Sequence, residues 1–369
     1  MNSQFGYKVD FRIAETPIFL PNELVNELQI AGDLILKYIQ SDDFKHYSKT
    51  AIPKGFEVPN EDEHTKVLAI DFAICADDSG KPIPQLIELQ GFPSLYFYQE
   101  LLNMKFREHF DIPAGYTNFF NGFDHSSYIK ALRNLIVGEC DPENVILLEI
   151  GPEKQKTKID FSCTEKWIGV KSVCISKVSK EGNKLYYTEK GKQIPIHRIY
   201  NRVIFDELNK RSDLKLNFSF TDELDVEWTP HPNWFFKISK HTLPRLKNKF
   251  VPETNFLNEL DTVPDDLQNY VLKPLYSFAG SGVKYDVTKK DIESIKDKHN
   301  YILQRKIEYA PLIETPDLPA KAEVRLLYIW DDKPILVNNI VRLSKGKMMG
   351  VDFNKDKTWV GSSIGYYQV

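Results

Sequence analysis

Two stretches of alternating sequence, 67–74 and 85–90, place the tightest limit on how this chain folds. A turn-forming segment joins them, so they predict a β-hairpin. Side chains alternate between the two faces of a strand, which puts Asp71 on the face opposite the apolar residues. Glu88 and Gln90 share the corresponding face of the second strand. The apolar residues on the other face of the first strand are Leu68, Ile70, Phe72 and Ile74.

The polar face of this hairpin has two interpretations. Acidic side chains on an exposed sheet face are usually just solvated. Asp71, Glu88 and Gln90 are also the oxygen-bearing ligands that Mg²⁺ prefers when it bridges the phosphates of a substrate. The sequence leaves both interpretations open.

A second stretch with chemical potential is 270–283, where a short strand ends in Lys273-Pro274 and a glycine-containing loop follows. A lysine beside such a loop can cradle nucleotide phosphates, because glycines let backbone N–H groups approach an anion closely. No Gly-Lys-Ser or Gly-Lys-Thr follows, so this is not a Walker A loop. The alternative is an ordinary strand end and turn with a structural lysine.

A second hairpin is predicted near the end of the chain, with strands at 323–330 and 335–342. Glu323 and Arg325 share one face of the first strand, and Asn338 and Arg342 share one face of the second. Guanidinium groups over a sheet face suit phosphate or carboxylate recognition, because the group is planar and binds in a bidentate manner. A cross-strand salt bridge is the competing interpretation.

The remaining pattern is mixed. An amphipathic helix is predicted after Pro21, and segment 126–235 alternates strand and helix signals, as an α/β lobe does. Within that lobe, 144–150 is a nearly continuous apolar strand and 164–170 a short helix. A further helix is predicted at 291–299 and a strand at 301–307.

Composition excludes several classes of protein. The charge is nearly balanced, with 48 basic and 52 acidic residues, so nothing predicts a nucleic-acid partner. The sequence contains no apolar run of about 18 residues, so no membrane span is predicted. The histidines form no zinc-binding pattern. Four dispersed cysteines and no secretory start favour a reduced, cytoplasmic protein.

The order of several motifs resembles the nucleotide-binding half of an ATP-grasp ligase. These motifs are Lys240 before Leu-Pro-x-Leu, Val-Pro-Glu-Thr at 251–254, Lys273-Pro274 with its glycine loop, Gln304, Glu323-x-Arg325 and Arg342. The metal-binding strands that normally come last are missing there, and the hairpin with Asp71 and Glu88 lies near the start instead. That order resembles the circularly permuted ATP-grasp group, which includes the glutathionylspermidine synthetases. The resemblance covers about residues 65–369.

The resemblance implies a role for each matching residue. Two lysines on separate strands, Lys240 and Lys273, would contact the ATP phosphates, and Arg325 or Arg342 would steady the transferred phosphate. Asp71, Glu88 and Gln90 would hold Mg²⁺. The implied loop over the phosphates includes Ser277, Gly280, Ser281 and Gly282. The residues implied to line the adenine include Gln304, Lys306 and Ile307.

The implied fold is a mixed α/β (α+β), circularly permuted ATP-grasp fold with a pre-ATP-grasp-like lobe. Its expected parts are a mainly helical segment at 1–64, a metal-binding hairpin and helix at 65–120, an α/β lobe at 121–235, and the nucleotide-binding lobes at 236–369.

The implied activity is an ATP- and Mg²⁺-dependent carboxylate–amine or carboxylate–thiol ligase working through an acyl phosphate. Its partners would be ATP and small-molecule or peptide substrates. Two departures favour an alternative, a non-catalytic ATP-binding protein with a regulatory or scaffold role. Gln90 replaces the family's metal-binding asparagine, and Ala69 replaces an arginine. A third possibility is an unrelated α/β enzyme such as a transferase.

Overall fold

The computed structural model describes residues 9–276, 282–347, 349 and 354–369. The strands within these residues are β1 (Ile18–Phe19), β2 (Val67–Ala76), β3 (Pro82–Gln90), β4 (Tyr116–Thr117), β5 (Val145–Glu149), β6 (Lys171–Cys174), β7 (Ser179–Glu181), β8 (Lys184–Glu189), β9 (Lys192–Ile196), β10 (Arg198–Asn201), β11 (Glu227–Thr229), β12 (Thr254–Phe256), β13 (Tyr270–Pro274), β14 (Tyr301–Arg305), β15 (Lys321–Trp330), β16 (Pro334–Ser344), β17 (Gly361–Ser363) and β18 (Gly365–Gln368).

The α-helices of the same residues are α1 (Asn22–Ile39), α2 (Asp42–Tyr47), α3 (Tyr96–His109), α4 (His125–Val137), α5 (Lys158–Ile168), α6 (Phe205–Asn209), α7 (Trp234–Lys237) and α8 (Lys289–Ser294). Short 3₁₀ turns connect several of these elements, and one of them, Lys240–Arg245, carries a predicted site residue.

A five-stranded antiparallel sheet in the order β17-β16-β15-β2-β3 is the centre of the fold. Both predicted hairpins belong to it, and they meet where β15 pairs with β2. Arg325 lies directly opposite Asp71 in that pairing, and Asp71 lies directly opposite Glu88. On the other side, Glu323 lies opposite Arg342. The register therefore brings the charged residues of both hairpins onto one surface.

The two faces of this sheet pack against different layers. The face of β2 that carries Leu68 and Ile70 is buried with α1, the predicted amphipathic helix, which contributes Leu24, Leu28, Ala31 and Ile35 to this core. The opposite face packs partly against α3, α4 and the parallel sheet, through residues such as Ala69. The charged residues occupy the remaining part of that second face. The alternation in the sequence predicted both faces of β2 correctly.

A small antiparallel sheet, β12-β14-β13, carries Lys273. Its apolar residues Leu272 and Leu303 pack with Val287 and Ile292 around α8. This helix is shorter than the predicted 291–299 and begins earlier. It starts after a capping box formed by Thr288 and ends at Ser294. Ile302 of this sheet and Leu275, which directly follows β13, belong to the core shared with the central sheet.

The segment predicted as an α/β lobe contains a four-stranded parallel sheet in the order β11-β10-β5-β6, with the β7-β8-β9 sheet beside it. The apolar strand predicted at 144–150 is β5, buried along its whole length. The helix predicted at 164–170 is α5, which begins earlier, at Lys158, and ends at Ile168, because Gly169 adopts φ 76°. The division of the chain into four domains stays a prediction.

The structure has several separate sheets, one parallel, three antiparallel and one mixed (β1-β18-β4), together with helices, which is consistent with the predicted α+β class. No helix of the described residues is both long enough and apolar enough to cross a membrane. The four cysteines are free thiols, and Cys75 and Cys163 are buried.

Candidate functional site

The polar face of the β2–β3 hairpin forms the floor of the candidate site. The amide of Gln90 donates through Nε2 to Asp71 Oδ2 at 3.2 Å and to Glu88 Oε1 at 2.9 Å. The pairing shifts by one residue beside Asp71, so that Ile87 forms a bulge between Glu88 and the next pair. The three predicted metal ligands therefore lie together, with Asp71 fully buried and the other two partly exposed.

Two arginines from the second hairpin lie against this floor. The Arg325 guanidinium donates through Nε to Asp71 Oδ1 and through Nη2 to Asp71 Oδ2, both at 2.6 Å. Arg342 donates to Glu323 and, at 3.5 Å, to Asp71. The cross-strand salt bridge that the sequence left open is therefore present between Glu323 and Arg342. Arg325 is held by Asp71 in a bidentate pair, while the Arg342 side chain is 39% exposed.

Lys273 reaches the same floor from the smaller sheet. Its Nζ donates to the side-chain oxygen of Gln304 at 2.6 Å and to the carbonyl oxygen of Ile87, in the β3 bulge, at 3.3 Å. Burial lowers the pKa of Lys273 to about 8, and the charge of Glu88 acts in the opposite direction. Lys273 therefore connects strand β13 to the β2–β3 hairpin that carries Asp71 and Glu88.

Lys240 is the second lysine of the resemblance, and its predicted place on a strand is wrong. It is the first residue of the 3₁₀ turn Lys240–Arg245, because the Ser239 side chain caps the turn by accepting from the His241 backbone. Lys240 is 9% exposed, and burial lowers its pKa against the opposing charge of Glu88. The turn nevertheless brings the lysine to the carboxylate that the resemblance assigns to the same site.

The charges at this site are unequal. The cations are Lys240, Lys273, Arg325 and Arg342, and the carboxylates are Asp71, Glu88 and Glu323. Burial acts to raise the pKa of Glu88, but Lys240, Arg325 and Lys273 outweigh it, and the pKa lies below its ordinary value. Glu88 is therefore ionised at neutral pH. With all seven groups charged, the site has an excess of one positive charge, which suits an anion.

The rest of the predicted phosphate loop is only partly described. Ser277, Gly280 and Ser281 lie outside the described residues. Gly282 follows them with φ 73°, and a Cβ there would lie 3.1 Å from the ring of Pro274, so glycine is favoured at this position.

The segment predicted to line the adenine includes the end of β14 and the residues after it, and its side chains make different contacts. Gln304 is buried and bonds Lys273, whereas Lys306 lies 4.2 Å from the Tyr285 ring centre and donates to the Gln268 carbonyl at 2.5 Å. Ile307 is partly buried. The contact of this segment with adenine stays a prediction.

Two further groups at the site, Glu323 and Tyr309, were not predicted from the sequence as site residues. Glu323 is buried, and burial raises its pKa while Arg342 opposes the shift. The Tyr309 hydroxyl donates to Glu323 at 3.2 Å. The position of Glu323 two residues before Arg325 was visible in the sequence, but no pattern indicates Tyr309, because it lies outside any regular strand.

A second polar cluster lies at the carboxyl ends of the parallel strands. The strands lie in the order β11-β10-β5-β6. The chain therefore adds β6 on one side of β5 and β10 on the other, which makes the gap between β5 and β10 the topological switch point. Ligands of parallel sheets commonly bind at such a point. Glu149 ends β5, and Arg202 follows the end of β10. Burial raises the pKa of Glu149 to about 8, against the charge of Arg202. Arg202 donates to the carbonyl oxygens of Phe92 and Pro93, which follow the β2–β3 hairpin.

Three buried polar atoms at these strand ends have no hydrogen-bond partner within the described residues. They are Nδ2 of Asn201, Nε of Arg202 and Oγ1 of Thr229. Buried polar groups are nearly always satisfied, so such a cluster indicates a place for a polar ligand or water. It lies beside the hairpin, because Arg202 bonds the segment that directly follows β3.

The predicted Mg²⁺ ligands differ in how well they fit an ion. Glu88 is ionised and partly exposed, and the Gln90 amide donates through its nitrogen, which leaves its oxygen for another partner. Asp71 has both oxygens bonded to Arg325. No group of three or more His, Cys, Asp or Glu side chains in the described part of the chain is arranged to hold a metal. Glu88 and Gln90 fit a metal; Asp71, as it stands, does not.

The comparisons with known proteins add one finding about the fold. No protein-family model and no curated protein matches this chain. Among solved structures, the chain is similar to a glutathione synthetase-like effector from Globodera pallida, determined in its apo form. The TM-score is 0.58 at 12% identity, and the match covers 97% of this chain and 90% of that one. The likeness is one of fold. It extends over nearly the whole of both chains.

Proposed function

We propose that this chain is a circularly permuted ATP-grasp protein that binds ATP and joins a carboxylate to an amine or thiol. The observation that carries the proposal is that two lysines and two arginines from four elements, the Lys240–Arg245 turn, β13, β15 and β16, gather around the acidic residues of the β2–β3 hairpin. Their order along the chain is that of the ATP-grasp resemblance. The glutathione synthetase-like fold supports the same class of protein.

The proposed reaction has two steps. A carboxylate oxygen of the first substrate attacks the γ-phosphorus of ATP, the bond to the β,γ-bridging oxygen breaks, and ADP leaves. The acyl phosphate is then attacked at its carbonyl carbon by the amine or thiol, inorganic phosphate leaves, and the nucleophile loses its proton. Phosphoryl transfer of this kind requires positioning and charge stabilisation rather than a protein nucleophile.

The proposed role of each residue follows from how exposed its side chain is. Lys240 and Lys273 would neutralise the ATP phosphates, and burial strengthens their interaction with an anion. Arg342 is the more exposed of the two arginines and would contact the phosphoryl group in transfer. Arg325 is held by Asp71 and would act through its fixed charge.

The proposed Mg²⁺ would enter with the nucleotide and reduce repulsion among the phosphate oxygens. Glu88 and Gln90 are the residues that would hold it. Asp71 would join them only by releasing Arg325.

The cluster at the parallel-strand ends is the proposed position of a substrate carboxylate. Arg202 offers a guanidinium with an unpartnered Nε, and Glu149 is largely protonated at neutral pH, because its pKa lies near 8. A protonated carboxyl group donates a hydrogen bond instead of repelling an anion. The Arg202 contacts with Phe92 and Pro93 place this cluster next to the end of the acidic hairpin.

Thermal unfolding with and without Mg·ATP tests nucleotide binding. A ligand at about 100 times its dissociation constant stabilises the folded state by about 2.7 kcal/mol. We expect a rise in the unfolding midpoint for the wild type and no rise for Lys273→Ala. Lys184→Ala, which changes an exposed lysine on β8, is the matched control and should behave as wild type. An equal rise in Lys273→Ala would refute the assigned site.

A non-catalytic ATP-binding protein is the second candidate, and the Arg325–Asp71 pair favours it specifically. A carboxylate already neutralised by an arginine has less need of a metal ion. This candidate predicts that ATP stabilises the protein equally in EDTA and in Mg²⁺. It also predicts no ADP release with any carboxylate and amine offered, whereas substrate-dependent ADP release would exclude it.

A further inference from the structure

A directed chain of hydrogen bonds leads to Lys273 from the edge of the smaller sheet. The Thr254 hydroxyl donates to the Pro252 carbonyl at 2.9 Å. Gln304 donates through Nε2 to Thr254 Oγ1 at 3.1 Å, and Gln304 Oε1 accepts from Lys273 Nζ at 2.6 Å. Thr254 and Gln304 are each 1% exposed, so water does not compete for these contacts.

The direction of this chain follows from what each group can donate. A threonine hydroxyl has one hydrogen, and Thr254 uses it on Pro252. Thr254 can therefore only accept from Gln304, which must present its NH₂ group to the threonine and its oxygen to Lys273. The strand register supports the arrangement, since Thr254 and Gln304 are directly opposite on β12 and β14. The orientation of the amide is fixed from both ends.

We propose that Gln304 is a positioning residue that aims the Lys273 ammonium at bound phosphate, with Thr254 fixing the orientation of its amide. The inference rests on the proposed function, because it assigns ATP to Lys273. An ammonium has three N–H donors, and two of those of Lys273 go to Gln304 and to the Ile87 carbonyl. Those two contacts fix the direction of the third donor.

A neutral amide is suited to this role. It accepts a hydrogen bond from Lys273 without cancelling the charge that an anion would meet. A carboxylate at the same position would form an ion pair with Lys273 and remove the excess positive charge of the site. The prediction is therefore specific to glutamine: Gln304→Glu keeps the acceptor, yet weakens binding.

The experiment measures the ATP dissociation constant by calorimetry, in Mg²⁺, for the wild type and four variants. Thr254→Val removes the hydroxyl at nearly constant volume, and Thr254→Ser restores it. Gln304→Met removes the amide, and Gln304→Glu adds the charge. We expect Thr254→Val to weaken binding several-fold and Gln304→Met about tenfold, the equivalent of one charge-assisted hydrogen bond. Thr254→Ser should bind as wild type, and Gln304→Glu should bind at least tenfold more weakly.

Unfolding of each ATP-free variant provides the second readout. A purely structural role for the buried amide predicts lower stability in Thr254→Val and Gln304→Met with unchanged ATP affinity in the folded fraction, and that result would overturn the inference. If the wild type itself does not bind ATP, the proposed function fails and this inference fails with it. Wild-type binding that Thr254→Val weakens and Thr254→Ser preserves supports the inference, even if Gln304→Met does not fold.

Discussion

The buried ion pair between Asp71 and Arg325 yields the sharpest stability prediction. Asp71 is 0% exposed, the Arg325 side chain is 11% exposed, and two hydrogen bonds of 2.6 Å join them. Removing one partner of a buried pair leaves a buried charge unpaired and costs about 3–5 kcal/mol. We expect Asp71→Asn and Arg325→Met each to lower the free energy of unfolding by about that amount. Urea unfolding followed by tryptophan fluorescence measures the change.

The double variant and an exposed control make the test specific. Asp71→Asn combined with Arg325→Met leaves neither member of the pair charged, so its loss should be smaller than the sum of the two single losses by at least about 1 kcal/mol. Arg211 and Asp213 form a bidentate pair of similar geometry, at 2.8 Å, on the exposed surface. Breaking that pair should leave the free energy of unfolding nearly unchanged, because solvent screens exposed ion pairs. Additive single losses of the same small size at Asp71 and Arg325 would refute the buried pair.

Two further predictions concern pH. Lys273 has an ordinary pKa of 10.5 when unfolded and about 8 when folded, so its contribution to stability rises between pH 8 and 10.5. Bound phosphate favours the ammonium, and ATP affinity should fall as pH rises through 8; a flat affinity profile by calorimetry would contradict this. Glu149 shifts from 4.5 to about 8 on folding, so wild-type stability falls as pH rises from 4.5 through 8. Glu149→Gln should remove that slope and raise the unfolding midpoint at pH 7, whereas parallel profiles of the two proteins would exclude the assigned shift.

The sequence predicted the faces of the central strands because alternation is a local property. Asp71 and Glu88 on one hairpin, and Glu323 and Arg325 on another, each lie on the face that the pattern indicated. Which hairpin lies beside which is not a local property. The contact between Asp71 and Arg325 joins residues 254 positions apart, and no periodicity specifies it. The Glu323–Arg342 pair within one hairpin was therefore predictable, whereas the Asp71–Arg325 pair between the two hairpins was not.

The misplacement of Lys240 has a different physical origin. A strand at this position was implied by resemblance alone, and the local sequence favours a turn instead. Ser239 can cap a turn through its side chain, and Pro244 lacks the N–H that a strand ladder uses. Glu149 was also not predicted as a site residue, because it ends an apolar run that is typical of an ordinary buried strand. Its raised pKa comes from burial in the folded sheet, and the charge that opposes the shift belongs to Arg202, which follows a strand about 50 residues later.

The proposed binding of an anion would explain the ion pairs at this site better than stability does. Replacing a buried pair with apolar residues is often neutral or stabilising, so Asp71 and Arg325 are not required to hold the sheet together. What the pair does provide is a fixed guanidinium beside Glu88, in a surface where cations outnumber carboxylates by one. Asp71→Asn would increase that excess while lowering stability. The same variant should therefore bind ATP more tightly and unfold more easily, a combination that a purely structural ion pair does not predict.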